Sequence, residues 1–208
     1  VMDGVLGVFA AGEALALVVD DRLQLLDSGV VTDLAEVGQG SVAAVYHSGE
    51  LFVCAHSKKL RIRGTDVMPW AVKAPVVDIE IVPGNLPAGI YRVAVTAVEG
   101  VESGCHPVIV SLNGSQALRV TIDDARSCRL YCSVANGQTL YHQGRIAGQE
   151  LIGSVADDSA RCETAGLEPM PHCTSLVSWQ GMIAGCAGNY IYHTQSMMPH
   201  LHDPEVDW

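Results

Sequence analysis

The constraint that most narrows the fold of this chain is a short hairpin pattern that occurs three times. Each copy has a turn glycine, an apolar residue five positions later, and a second β-like run that closes the unit. The copies read Phe9-Ala-Ala-Gly12 with Leu17, Tyr46-His-Ser-Gly49 with Cys54, and Ser178-Trp-Gln-Gly181 with Cys186. Their second runs are Arg22-Leu-Gln-Leu-Leu26, Lys59-Leu-Arg-Ile-Arg63 and Asn189-Tyr-Ile-Tyr192. Glycine reaches positive φ without a steric penalty, and alternation gives each strand one buried and one wet face. Gly12 and Gly49 lie 37 residues apart, near the roughly 40 to 50 of a β-propeller blade. Glycine-bounded hairpins also arise in any all-β protein. The chain carries no Trp-Asp repeat end, no Gly-Gly kelch pair and no Ser-x-Asp-x-Gly box.

Composition limits the function classes. Hydrophobic residues make up 49% of the chain and charged ones 17%, which excludes disorder and predicts apolar surface buried against other chains. A formal charge of −11 argues against sequence-independent binding to nucleic-acid phosphates or anionic lipid. The apolar run from Val5 to Val19 follows Asp3 and is interrupted by Glu13, with no positive flank. It reads as buried strand, neither signal peptide nor membrane span. Seven cysteines without an export signal predict reduced thiols, and Asn113-Gly-Ser115 reads as a turn rather than a glycosylation site.

Between the second and third hairpins the texture changes. Pro69-Trp70-Ala-Val-Lys-Ala-Pro75 reads as a linker, because each proline biases its predecessor toward extended backbone. Short strands are predicted over 77–82, 90–98, 108–112, 118–122, 129–134 and 139–143, with turn signals such as Pro83-Gly84-Asn85 and Asn136-Gly137 between them. Tyr91, Val93, Val95 and Ala97 share one face; Cys128, Leu130, Cys132 and Val134 share another. Such strands describe a two-sheet sandwich. The expected organisation is all-β: a hairpin region over 1–74, a sandwich over 75–150, and a return segment over 151–208 that completes the hairpin region. The segments 149–156 and 158–164 are too short or too mixed to assign as helix.

Leu86-Pro-Ala-Gly-Ile-Tyr-Arg-Val-Ala-Val-Thr96, followed by Glu102-Ser-Gly104 and Cys128-Arg-Leu-Tyr131, resembles a fibronectin type III-like module. That resemblance implies a Tyr-bearing strand and a later Arg-x-Tyr strand packed across the sandwich. Glu168-Pro-Met-Pro-His172, Ser178 to Gly185, Asn189 to Thr194 and Met198 to Pro204 resemble the return strands of a blade in virion proteins of tailed bacteriophages. This second resemblance implies propeller-like hairpins around an inserted immunoglobulin-like module and a structural role in a tail or tail adaptor. It also implies other virion proteins and further copies of the chain as partners, and a place in the virion after assembly in the host cytoplasm. Three hairpins cannot close a ring, so the missing surface is expected from another chain or from symmetry copies. Val1 before Met2 and the abrupt Trp208 suggest trimming or a split gene.

No familiar catalytic signature accompanies the pattern. The chain lacks a Gly-x-Ser-x-Gly elbow, a phosphate loop, a dinucleotide turn and a His-Glu-x-x-His pair. Asp20-Asp21, Asp123-Asp124 and Asp157-Asp158 each sit where a turn is expected and are followed closely by arginine, so solvated turns explain them better than a glycosidase pair. His200 and His202 are two apart and would face one way on an extended segment, with His193, Asp203 and Cys173 as conceivable further ligands. Without a tighter ligand pair they are weak metal candidates, and no cofactor is expected. Cys105-His106 and His172-Cys173 point to opposite faces of a strand and cannot form a nucleophile and base pair.

Lys59, Arg61 and Arg63 form a basic stripe opposite inward-facing Leu60 and Ile62. The stripe reads either as charge protecting an edge strand or as a docking stripe for an acidic neighbour; with Trp208 it makes up the interface candidates. The leading expectation is a non-enzymatic structural component assembled through β-edges and apolar surface. A carbohydrate- or protein-binding adhesin-like module and a fragment of a propeller hydrolase are the alternatives. The first of these would be a soluble monomer with a ligand, and the second would need acidic residues converging on one pocket.

Overall fold

The computed structural model describes residues 4–56 and 58–206. Every named element is a strand, so the chain is all-β, and it divides into two compact units. One holds the residues up to Ala71 together with those from Met170 onward; the other is Val72–Pro169.

The first unit contains three four-stranded antiparallel meanders. Sheet I is β1 (Val5–Ala11), β2 (Ala14–Val19), β3 (Arg22–Asp27) and β4 (Val30–Glu36). Sheet II is β5 (Val42–His47), β6 (Glu50–Ala55), β7 (Lys58–Arg63) and β8 (Asp66–Pro69). In the second unit follow β9 (Val77–Leu86), β10 (Gly89–Glu99), β11 (Val101–Glu102), β12 (Val108–Leu112), β13 (Gln116–Ile122), β14 (Cys128–Cys132), β15 (Tyr141–Ile146), β16 (Gln149–Ile152) and β17 (Glu168–Pro169). The chain then returns to build sheet III from β18 (Ser175–Trp179), β19 (Met182–Ala187), β20 (Tyr190–Gln195) and β21 (Met198–His202), a meander to which the two-residue β17 adds a fifth strand beside β21.

The three meanders keep one beat. Their hairpin loops begin at residues 12, 20 and 28 in sheet I, 48, 56 and 64 in sheet II, and 180, 188 and 196 in sheet III, always eight residues apart. Two-residue loops match the right-handed twist of the strands they join only when a central residue has positive φ. At the first loops Gly12 takes this role from the first position (φ 71), whereas in Ser48-Gly49 both residues are left-handed (φ 51 and 86). The structural spacing of sheets I and II is therefore 36 residues, loop 12 to loop 48, and not the 37 separating the two glycines.

Strand β5 lies beside both β1 and β18, which places sheet II between sheets I and III. Its central strand β6 is buried at every position. Leu51, Val53, Ala55 and Ile62 join Ala16, Val18 and Leu23 of sheet I in one cluster. Ala43, Phe52 and Cys54, from the opposite face, join Trp70, Met170, Cys173 and Ile183 in another.

The second unit is a β-sandwich. One sheet runs β11-β10-β14-β15 with β12 also on β10, and the other runs β16-β13-β9. Tyr91, Val93, Val95, Ala97, Cys128, Leu130 and Cys132 fill the space between the sheets with Leu118, Val120 and Ile122, as the alternation predicts. The strand carrying Tyr91 and the one carrying Arg129-x-Tyr131 do not pack across the sandwich, however. They are hydrogen-bonded neighbours, with Ala94 opposite Tyr131; Tyr91 points into the core and Tyr131 to the other face. There Tyr131 packs with Ala94, Cys105, Leu140 and Cys162.

The sandwich also runs further than the expected limit of 150. β16 pairs with β13 and buries Ile152 in the core, and the segment that follows is tied back by the bridges Tyr141↔Arg161 and Cys105↔Ala165. Gly104 permits that closure, since a Cβ there would come 2.0 Å from the Leu167 carbonyl oxygen. At the other end the expected linker contains the boundary itself. Trp70 is buried in the first unit, donating from Nε1 to the Pro199 carbonyl at 2.7 Å, while Val72 belongs to the sandwich core.

Candidate functional site

Pairing in an antiparallel sheet puts directly opposed residues on the same face. In sheet I the face toward sheet II carries Phe9, Ala11, Ala16, Val18 and Leu23. The other face carries Val8 and Ala10 opposite Leu17 and Leu15, then Leu26 and Val31. It is apolar and open around Leu17, which its neighbours bury: Val8 is 56% exposed and Val31 54%. Polar groups stand toward its outer strands, where Arg22 Nη2 and Gln24 Nε2 donate to Asp33 at 3.2 and 2.8 Å.

Sheet III repeats this on its far side. Leu176, Ile183, Ala187 and Tyr192 pack toward sheet II, while Val177, Ala184 and His193 share the opposite face with Trp179, Met182, Cys186 and Ile191. Trp179 is 54% exposed and Val177 56%. Single exposed apolar residues are ordinary, but contiguous patches with a polar rim mark interaction surfaces. Both faces have that character. In the sequence β1, β2 and β19 are apolar at nearly every position instead of alternating with polar residues, which marks both faces as apolar without saying which is covered.

The basic stripe lies elsewhere. Lys59, Arg61 and Arg63 do share a face of β7, but β7 is an inner strand between β6 and β8 and their groups are engaged inside the first unit. Arg61 is 6% exposed, with Nε 3.7 Å from Glu50 Oε2, and its Nη2 donates to Met68 Sδ. Arg63 reaches the same carboxylate at 2.6 Å, and Lys59 Nζ donates to the Met170 carbonyl. The edge-strand reading of this stripe therefore gives way to an internal charge pairing, because a fourth strand, β8, covers β7. Trp208 lies outside the described residues.

His200 and His202 are both buried on β21, and the His202 ring meets Tyr192 edge-on with centroids 5.6 Å apart. Among the described residues no three His, Cys, Asp or Glu side chains come together in a metal-binding group. Asp20 begins the β2–β3 hairpin loop. Asp124 accepts hydrogen bonds from Arg126, from its side chain and its backbone N–H, which hold the carboxyl well below its ordinary range, at about 2. It is a salt-bridged turn carboxylate.

Sequence reading passed over one chemically distinctive cluster in the sandwich. Glu102 accepts from Thr96 Oγ1 at 2.5 Å, Tyr131 Oη at 2.7 Å and Arg129 Nη1 at 2.7 Å. Beside it the sulfurs of Cys105 and Cys162 lie 3.7 Å apart. The hydrogen bond with Cys105 lowers the Cys162 thiol to about 7, and the same contact pushes the more buried Cys105 up. A groove of about 360 Å³ lies in the same unit between Leu86, Pro87, Tyr91, Val134 and Val155, and its lining carries no charged side chain.

No family model, no curated protein and no solved structure matches the chain.

Proposed function

We propose that this chain is a non-enzymatic structural component that works by association through the uncovered faces of sheets I and III. The carrying observation is the contrast within one unit: sheet II has apolar residues on both faces and both are buried, whereas sheets I and III each bury one face and leave the other open. Apolar surface of that kind lowers its free energy by about 25 cal/mol for each Å² removed from water. Faces, more than β-edges or the basic stripe, are the means of assembly in this reading.

The setting we propose is the particle of a tailed bacteriophage, in its tail or tail adaptor, with other virion proteins as neighbours. Three four-stranded meanders interrupted in sequence by a sandwich support it, as this is the arrangement that the resemblances of the 168–204 and 86–131 segments imply. Sedimentation velocity over a wide concentration range tests the assembly reading. Association of the purified chain supports it, and a single-chain species at every concentration refutes it. Antibodies to the chain that decorate tails of purified particles would support the setting, and undecorated particles would refute it.

A further inference from the structure

After β16 the sandwich is finished by a strap, residues 153–167, that has no strand of its own. Its residues 160–162 run antiparallel to 140–142, with His142 N–H donating to the Ala160 carbonyl at 2.8 Å and Cys162 N–H to that of Leu140 at 2.9 Å. Further on, Cys105 N–H donates to the Thr164 carbonyl at 3.2 Å and Gly166 N–H to that of Cys105 at 2.8 Å. These backbone bonds set two thiols face to face. Cys105 and Cys162 stand 57 positions apart in sequence, yet their sulfurs are 3.7 Å apart.

We infer that this pair is a reversible redox site, at which Cys162 is oxidised by a small-molecule disulfide and Cys105 resolves the adduct, forming a bond that locks the strap onto the sandwich.

The two thiols differ in the way this chemistry needs. The thiolate is the nucleophile, so the attacking cysteine has to be ionised and reachable, whereas the resolving one has only to be near. Cys162 is half-buried and Cys105 is 3% exposed. Cys162 Sγ lies 3.7 Å from Cys105 Sγ and 3.7 Å from Thr164 Oγ1. Donation from Cys105 first, and from Thr164 after it, favours the charged form of Cys162 and lowers its thiol to about 7. Cys128 and Cys132, in the core between the sheets, are pushed up by burial instead. Cys162 therefore does not behave as a cysteine that only fills space.

The exchange balances between the chain and an oxidant of the glutathione disulfide class. The Cys162 thiol releases its proton, and its sulfur attacks one sulfur of the oxidant. A mixed disulfide forms, and one small thiolate leaves and takes up a proton. Cys105 then gives up its proton, its sulfur attacks Cys162 Sγ, and the second small thiolate leaves with that proton. Two chain thiols are oxidised to one disulfide while the small disulfide is reduced to two thiols. The bond requires the sulfurs to close from 3.7 Å to about 2 Å, a movement within reach of χ1 rotation at the two side chains. A cross-link across 57 positions then restricts the unfolded chain and raises the stability of the folded sandwich.

The test holds the full, fully reduced chain in glutathione buffers of increasing oxidised share, maps the thiols by mass spectrometry after non-reducing digestion, and follows both end states by calorimetry. Two of the seven thiols are expected to disappear into a peptide linking Cys105 to Cys162. The sandwich transition is expected to rise by about 10 °C or more, while that of the first unit stays in place. Cys105→Ser should stop at a glutathione adduct on Cys162, and Cys162→Ser should form neither link nor adduct at Cys105. Circular dichroism checks the fold of both variants, and the map of the native chain decides the question if either fails to fold. Both thiols still free in the most oxidising buffer would overturn the site. An adduct that persists on Cys162 of the native chain would overturn resolution by Cys105, and a link that leaves the sandwich transition unmoved or lower would overturn the lock.

Discussion

Phe52→Ala is the substitution that probes the stacking from which the docking faces are deduced. Phe52 is fully buried at the centre of β6 on the face of sheet II toward sheet III, its ring centroid 5.2 Å from that of Trp70 and 6.4 Å from that of His47. It belongs to the cluster that joins sheet II to Ile183 of sheet III. Truncating a buried phenylalanine removes its transfer free energy and leaves a cavity, about 3 to 5 kcal/mol in all, against a total of roughly 5 to 15 kcal/mol for a domain. The first unit has roughly 110 residues, for which each kcal/mol is worth about 4 °C, so its transition should fall by about 15 °C. The sandwich has a separate core around Leu118 and Leu130, and its transition should stay in place. Differential scanning calorimetry of the two forms reads both transitions. A loss below about 1 kcal/mol, or a shift of the sandwich transition instead, would refute the stacking.

Two further outcomes follow from buried chemistry. Glu50→Ala strands Arg61 inside the first unit and should cost about 3 to 5 kcal/mol, while Arg63→Ala, at a side chain 72% exposed, should cost under about 1 kcal/mol; chemical denaturation of both variants separates internal pairing from a free docking stripe. Cys162 should be alkylated by iodoacetamide with a pH inflection at about 7, because the thiolate is the nucleophile and its fraction rises through that value. Cys105→Ala removes the hydrogen-bond donor and should move the inflection up toward the ordinary thiol value of about 8.5; an unmoved inflection would show that Cys105 is not its cause.

Much of the architecture was legible because it is carried by local rules. Alternation at Tyr91, Val93, Val95 and Ala97 and at Cys128, Leu130 and Cys132 placed the sandwich core correctly, and Gly12, Gly49 and Gly181 marked real hairpins. The eight-residue beat was hidden because loops such as Asp20-Asp21 and Ser196-Met197 turn without glycine, with φ of 54 at Asp20 and 67 at Met197. The sandwich limit was missed because β16 carries one core residue, Ile152, and the rest of that segment is held by bridges to distant chain.

The charge stripe shows what single strands cannot reveal. Lys59, Arg61 and Arg63 look free until the β6–β7 register is extended by one pair, which sets Glu50 opposite Arg63. That register was available from the hairpin itself. The open faces became recognisable only when the order of sheets was known, since an apolar strand reads the same whether its neighbour is present or absent.

The central claim is that the uncovered apolar faces of sheets I and III are association surfaces. Sedimentation velocity of the purified chain beside Val8→Glu and Trp179→Glu, both at positions more than half exposed, tests it most directly. The account predicts a native chain that associates and variants that associate more weakly; a native chain that stays single at every concentration would contradict it.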